Sequence, residues 1–405
     1  MASVRLLVLL LILSAAGCAL QPPTEQVFPD DRWCASDRAL LDARFESGKL
    51  GRCEVTGDGV FDLTNYPEDP PPINVSPWYA FRLSGNPGDV ATVRIGFEHG
   101  FARYWPKTSA DGETWERLDE TRVVKSEDGN SMELSVELDG AQTWIAGQEL
   151  LTSRFYDRWL REMDSSAPVT VGLAGHSVEG RPIYRVETED RPEVVLLLGR
   201  QHPPEVSGVF ALQPFVRTLL ADTELARNFR QRFKLLILPF MNPDGVAHGH
   251  WRHNVNGVDL NRDWGPFTQP ETRIVRDWLA GADEQGLQLR LMLDFHSTDK
   301  NVFYTQRDGD LVQLPGFTEG WLDAASKRLP DYGFVREAQE TSEQANSKNY
   351  FFTRYGIPAI TYETGDETPR EAISAAAVVF AEEMMRLMLS YPPVAARLPT
   401  APGAQ

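Results

Sequence analysis

The sequence predicts an α/β fold, a mixed and mostly parallel sheet flanked by helices, preceded by a small antiparallel β-sandwich. Two textures along the chain carry this expectation. From Glu54 to about Ile145, short alternating apolar runs lie at 78–83, 91–97, 103–105, 131–138 and 143–145. Turn signals such as Asn86-Pro87-Gly88, Asp111-Gly112 and Asp128-Gly129-Asn130 separate them. Alternation of period two, broken by Gly, Pro and Asn, marks half-buried strands joined by tight turns. From about Leu151 the apolar runs become continuous, at 194–198, 235–239, 291–295 and 359–361. They alternate with helical patterns at 206–220, 271–280, 320–327, 349–355 and 369–389. Unbroken runs of that length belong to strands buried on both faces, as in a parallel sheet covered by helices.

Residues 1–18 read as an export signal rather than as part of the fold. Arg5 precedes the apolar run 6–13, too short to span a bilayer as a helix, and small residues lead to Cys18. Ala15-Ala16-Gly17-Cys18 resembles the lipobox of bacterial lipoproteins. The resemblance implies lipidation of Cys18 and an exported protein, periplasmic or at the cell surface, anchored to the membrane by its N-terminal lipid alone. Residues 19–53 are polar and Pro-containing and read as a tether, with a short helix expected over 37–45. The sandwich is then expected over 54–150, the α/β domain over 151–391, and a Pro/Ala-rich tail over 392–405. Cys34 and Cys53 remain, and in an exported chain one disulfide between them is the expected state. Forty Lys and Arg stand against 58 Asp and Glu, a formal net charge of −18. With no basic field to release counterions, the chain is not expected to bind nucleic acid.

The chemistry-bearing residues follow the buried runs. His202 and Glu205 come after the first, His296 after the third, and Glu363 after the last. In open α/β sheets ligands bind outside the carboxyl ends of the strands. His202 and Glu205, three residues apart, can aim an imidazole and a carboxylate at one point. His296 from a distant strand would complete a two-His, one-Glu set with a position left open, the composition of a catalytic rather than a structural zinc site.

Further motifs extend this pattern. Glu179-Gly180-Arg181-Pro182-Ile183, Asn242-Pro243-Asp244-Gly245 with Arg252, and Gly257-Val258-Asp259-Leu260-Asn261-Arg262 resemble the M14 family of zinc carboxypeptidases, cytosolic-carboxypeptidase-like branch. Pro77-Trp78-Tyr79-Ala80-Phe81-Arg82 and Tyr104-Trp105-Pro106 resemble that branch's N-terminal domain. The resemblance implies a carboxypeptidase-like fold and one Zn2+ per chain, with His202, Glu205 and His296 as metal ligands. Asp259 would orient a ligand histidine. Asn261 and Arg262 would receive the terminal carboxylate of a peptide substrate, since a planar guanidinium matches a carboxylate bidentately. Arg252 would stabilise the oxyanion, and Glu363 would serve as general base and then as proton donor to the departing amine.

In one respect the chain departs from the family. Its mobile tyrosine, about twenty residues before the catalytic glutamate, has no counterpart in the stretch 337–347, and Tyr350 and Tyr355 read as helix-packing residues. Lys348 would place a cation near the pocket for the departing side chain and favour a carboxylate-bearing residue such as glutamate or diaminopimelate. His248, His250 and His253 surround Arg252 and read as loop side chains rather than as a second metal site. Two other readings remain open: a zinc amidase or deacylase acting on N-acyl amino acids, and a binding protein with a vestigial site. Oligomeric state is not legible.

Overall fold

The computed structural model describes residues 32–69, 75–310, 312–339 and 342–394. The expected leader with Cys18, the start of the tether and most of the tail lie outside the described residues.

The first unit comprises β1 (Trp33–Ala35), β2 (Ala39–Asp42), β3 (Arg52–Gly57), β4 (Val60–Asn65), β5 (Ala80–Gly85), β6 (Val90–Phe97), β7 (Lys107–Ser109), β8 (Glu116–Arg117), β9 (Val123–Lys125), β10 (Ser131–Glu137) and β11 (Thr143–Ala146). They form two sheets, β1-β2-β5-β11-β7-β8 and β3-β4-β6-β10-β9. Buried and accessible positions alternate along β6 and β10, so each strand turns one apolar face inward. Phe61, Val93, Ile95 and Leu134 of one sheet meet Leu41, Phe81, Leu83 and Ile145 of the other in a single buried cluster. Pairing is antiparallel apart from β4 with β6, which run parallel.

Two expectations are corrected here. Residues 33–53 are not a bare tether with a helix over 37–45; together with 54–57 they supply β1, β2 and β3 to the two sheets. The run 103–105 forms no strand, because Tyr104 is buried against Trp78 and Trp251 instead of pairing in a ladder. The Cys34–Cys53 disulfide, with Cα atoms 6.4 Å apart, ties β1 of one sheet to β3 of the other. Closing a loop of this size removes unfolded-chain entropy worth about 3 kcal/mol.

The second unit runs through α1 (Ser153–Ser166), β12 (Thr170–His176), β13 (Pro182–Glu187), β14 (Glu193–Gly199), α2 (Val206–Leu220), α3 (Glu224–Arg232), β15 (Phe233–Leu238), α4 (Pro243–His248), α5 (Pro270–Glu284), β16 (Gln288–Thr298), β17 (Val302–Thr305), α6 (Phe317–Arg328), β18 (Val335–Ala338), α7 (Ser347–Tyr355), β19 (Ala359–Gly365) and α8 (Arg370–Ser390). Its eight-stranded sheet has the order β12-β13-β15-β14-β16-β19-β17-β18. The central strands β15, β14, β16 and β19 run parallel, and antiparallel pairings flank them. The expected α/β sheet is thus present, parallel at its centre and mixed at its edges.

Alternation along the central strands sorts side chains onto two cores. Val195, Leu197, Leu293, Phe295, Ile360 and Tyr362 pack with α1, α2, α3, α6 and α8. Val194, Leu196, Leu198, Met292 and Ala359 pack with α5 and α7 on the opposite face. Full burial of each large apolar side chain contributes about 1.5–3 kcal/mol. The same alternation puts Asp294, His296 and Glu363 on the α7 face, where the central strands end.

Candidate metal and catalytic site

β14 ends at Gly199, and the chain turns through Arg200, whose φ of 56° lies in the left-handed region. Arg200 holds this turn itself, with Nε donating to Pro203 O at 2.6 Å and Nη1 to the Tyr156 hydroxyl at 3.2 Å. The turn delivers His202, and it delivers Glu205 at the N-cap of α2. His296 comes from the end of β16, beside Glu363 of β19 in the parallel register.

These side chains converge. Nδ1 of His202 lies 2.9 Å from Glu205 Oε1, and Nδ1 of His296 lies 2.7 Å from Glu205 Oε2. One donor atom from each residue lies within 4.8 Å of the other two, and all three residues are buried. The far side of each ring meets an acid: His202 Nε2 is 3.0 Å from Asp259 Oδ1, and His296 Nε2 is 3.0 Å from Asp294 Oδ2. A ring whose Nε2–H is held by a carboxylate presents its Nδ1 lone pair to a metal.

The electrostatics fit a divalent cation. Burial alone would raise Glu205, yet His202 and His296 hold its carboxyl well below the usual range. Burial disfavours a charged His296, but Asp294 and Glu205 push its pKa well above the ordinary imidazole value. Glu363 is pushed up to about 7, first by burial and then by the charge of Glu205. Its Oε2 is buried without a hydrogen-bond partner among the described residues. Crowded carboxylates around two imidazoles, with one carboxylate oxygen orphaned, suit a bound Zn2+ held by His202, Glu205 and His296.

Asp259 joins this centre to a pair of arginines. Its Oδ2 accepts from Arg252 Nε at 2.7 Å while its Oδ1 faces His202, and the neighbouring charges hold it far below the ordinary carboxylate value against the effect of burial. Asn261 Nδ2 lies 3.4 Å from His296 Nε2, and its Oδ1 accepts from Ser347 N at 2.9 Å. Arg262 is exposed; Nη1 donates to Asn261 O at 2.7 Å, and Nε and Nη2 face the Gln344 amide oxygen at 3.2 Å when that amide is turned. Although much of the residue is exposed, partial desolvation and Arg252 lower the Arg262 pKa against the pull of Asp259, so the two guanidiniums share one neighbourhood. Lys348, the second residue of α7, is 3 % exposed, and its amine has no hydrogen bond or ion pair among the described residues. Burial lowers its pKa, with Asp310 acting in opposition.

The loop histidines do not converge on a second centre. His248 pairs with Glu179 at 2.8 Å, His250 faces the His253 carbonyl, and His253 pairs with Asp69. Tyr350 and Tyr355 pack against Phe351 and each other, as expected of helix-packing residues.

Two residues escaped sequence reasoning. Asp294 also accepts from Gln201 Nε2 at 2.6 Å and from the Ser347 hydroxyl; the signal was a lone acid inside an apolar run, two positions before His296. Tyr304 lies opposite Thr361 in the antiparallel β17–β19 pair, with Val302 opposite Glu363. Paired and alternate residues share a face, so Tyr304 is a diagonal neighbour of Glu363, within reach of a long side chain. Burial and the Glu363 charge raise its pKa, and its hydroxyl has no hydrogen-bond partner among the described residues.

The comparisons with known proteins agree with this geometry. The zinc carboxypeptidase family matches residues 156–384, and the cytosolic carboxypeptidase N-terminal domain matches residues 41–147. The chain is 26% identical over 215 residues to the uncharacterized protein ZMO1242 of Zymomonas mobilis, covering 50% of this chain and 56% of that protein. It is 25% identical over 296 residues to mouse cytosolic carboxypeptidase 6, covering 65% of this chain and 54% of that protein. The matched stretch thus spans just over half the length of these relatives. In fold it is similar to a metallo-carboxypeptidase from Burkholderia cenocepacia, with a TM-score of 0.72 at 19% identity, covering 87% of this chain and 99% of that one. By the family match over more than half of its length, the chain belongs to the zinc carboxypeptidase family.

Proposed function

We propose that the protein is a metallocarboxypeptidase that hydrolyses the last peptide bond of peptides with a free terminal carboxylate. The observation that carries this reading is the convergence of His202, Glu205 and His296 within 4.8 Å, with Glu363 on the adjacent strand at the level of His296. Zn2+, when bound, supplies a Lewis acid for the scissile carbonyl and lowers the pKa of the attacking water. Glu363, with a pKa near 7, is suited to take the proton from that water and return it to the departing amine. Arg252 is assigned to the oxyanion, and Asn261 with Arg262 to the terminal carboxylate. Tyr304, a diagonal neighbour of Glu363, is assigned a place beside the general base.

The same reading extends to specificity and location. Lys348, a buried amine with no hydrogen bond or ion pair among the described residues, supports preference for an acidic departing side chain. Arg5, the short apolar run and Ala15-Ala16-Gly17-Cys18 support export and lipid anchoring through Cys18. Mass spectrometry of purified protein with peptides ending in glutamate, diaminopimelate-containing stem peptides and neutral controls tests both activity and preference. Loss of one terminal residue, abolished by a chelator and by Glu363→Gln with zinc retained, is expected. Turnover of N-acyl amino acids with intact peptides would favour a deacylase instead. Arg262→Ala should weaken free-acid peptides far more than amidated ones, and equal effects refute carboxylate recognition.

A further inference from the structure

The loop bearing Arg252 is fastened by the β domain. Glu68, three residues past β4, accepts two backbone N–H groups on one oxygen: Trp251 N at 2.7 Å and Arg252 N at 2.8 Å. Its other oxygen faces Lys49 Nζ at 3.5 Å, and Lys49 in turn donates to Ser76 Oγ at 2.8 Å. Asp69 pairs with His253 on the other side of Arg252. The Trp251 ring lies against Tyr104, with centroids 5.9 Å apart, and the Arg103 guanidinium covers it at 4.8 Å. At the start of the loop, a Cβ on Gly249 would lie 2.8 Å from the carbonyl oxygens of both Ser47 and Gly48. Main-chain atoms of the two units touch there.

Residues 251–253 are therefore gripped from the β domain on both sides of Arg252, while the Arg252 side chain is aimed by Asp259 at 2.7 Å. Hydrogen bonds to an ionised carboxylate are roughly twice as strong as neutral ones, and two on one oxygen fix the peptide plane as well as its position. We propose that Glu68 is a positioning residue for the reaction, a β-domain carboxylate that fixes the main chain of Arg252 so that its guanidinium meets the developing oxyanion. The β domain is in this sense part of the active site. The inference rests on the oxyanion role given to Arg252 above.

Zinc-loaded protein with a peptide ending in glutamate, and metal-free protein in hydrogen exchange, test it with Glu68→Gln, Glu68→Asp, Arg252→Ala and the Glu68→Gln/Arg252→Ala double variant. Glu68→Asp keeps a charge for Lys49 while drawing the carboxylate back by one methylene, so it reports position if the Gln variant fails to fold. Both Glu68 variants should lower kcat by roughly 10–100-fold with KM and zinc content retained, short of the 10²–10³ seen when an oxyanion donor is removed outright. Amides of 249–256 should exchange faster in the metal-free variants. In the Arg252→Ala background, Glu68→Gln should cost nothing further. Additive losses, a change confined to KM, or unchanged amide exchange overturns the proposal. Unchanged turnover in Arg252→Ala overturns the oxyanion role and this proposal with it. A fall there that neither Glu68 variant reproduces overturns this proposal alone.

Discussion

Gly208 sits in the first turn of α2, three residues after Glu205, where the helix meets the β16 backbone. A Cβ added there would lie 2.7 Å from His296 O, 2.9 Å from its carbonyl carbon and 3.0 Å from its N. Ordinary contact begins near 3.4 Å, so α2 and β16 must part by about half an ångström or more, and main-chain atoms cannot rotate aside. In an open helix Gly→Ala stabilises by about 1 kcal/mol. Overpacking a close contact costs about 1–3 kcal/mol, so the clash outweighs the propensity gain. The separation opens between Glu205 and His296, now held 2.7 Å apart at their facing atoms. Metal sites tolerate ligand displacements of about 0.5 Å, so the cost falls on binding. Gly208→Ala is expected to weaken Zn2+ by roughly 5–150-fold, the binding equivalent of 1–3 kcal/mol. Competition against a chromogenic chelator measures this, alongside thermal unfolding of the metal-free protein. Unchanged zinc affinity, or a higher Tm with no change in affinity, would refute the argument.

Asp294→Asn keeps the shape that Gln201 and Ser347 hold but removes the charge on His296; zinc affinity should fall about 10–100-fold with little change in fold, by the same chelator competition. Glu271 is fully buried at the start of α5, and burial, with Asp244 adding, pushes its pKa up to about 7 from 4.5. The folded protein therefore keeps a proton that the unfolded chain has lost, and stability falls as pH rises through that window. Glu271→Gln should flatten the decline, adding stability of order 1–3 kcal/mol at about pH 8 and so raising Tm there; parallel Tm-against-pH curves for the two proteins would contradict it.

The long apolar runs were legible because strands buried on both faces need them, and each one expected in the second unit became β14, β15, β16 or β19. The converging residues were legible for the same reason: His202, Glu205, His296 and Glu363 interrupt polarity patterns just where those runs stop. Residues 33–53 were not. β1 and β3 are short and mostly exposed, and β2 carries Ala39-Leu40-Leu41-Asp42, a helix-forming string recruited into a sheet by its pairing with β5. Tertiary pairing overrode local propensity there. The parallel β4–β6 pairing was hidden because alternation sets which face is buried, not which way a neighbour runs. Glu68 and Asp69 were invisible for another reason: their partners lie about 180 residues away in another unit, and no local pattern marks such a contact.

His202 and His296 are each braced by a carboxylate on the side of the ring away from Glu205. Small zinc modules acquire their shape from the ion, so that removal of the metal and unfolding are one event. Here the imidazoles are oriented by Asp259 and Asp294, and those acids are anchored by a core that owes nothing to the ion. Stripping the protein should leave a folded, empty socket that refills without refolding, so occupancy can follow the supply of metal around the protein rather than the history of its folding.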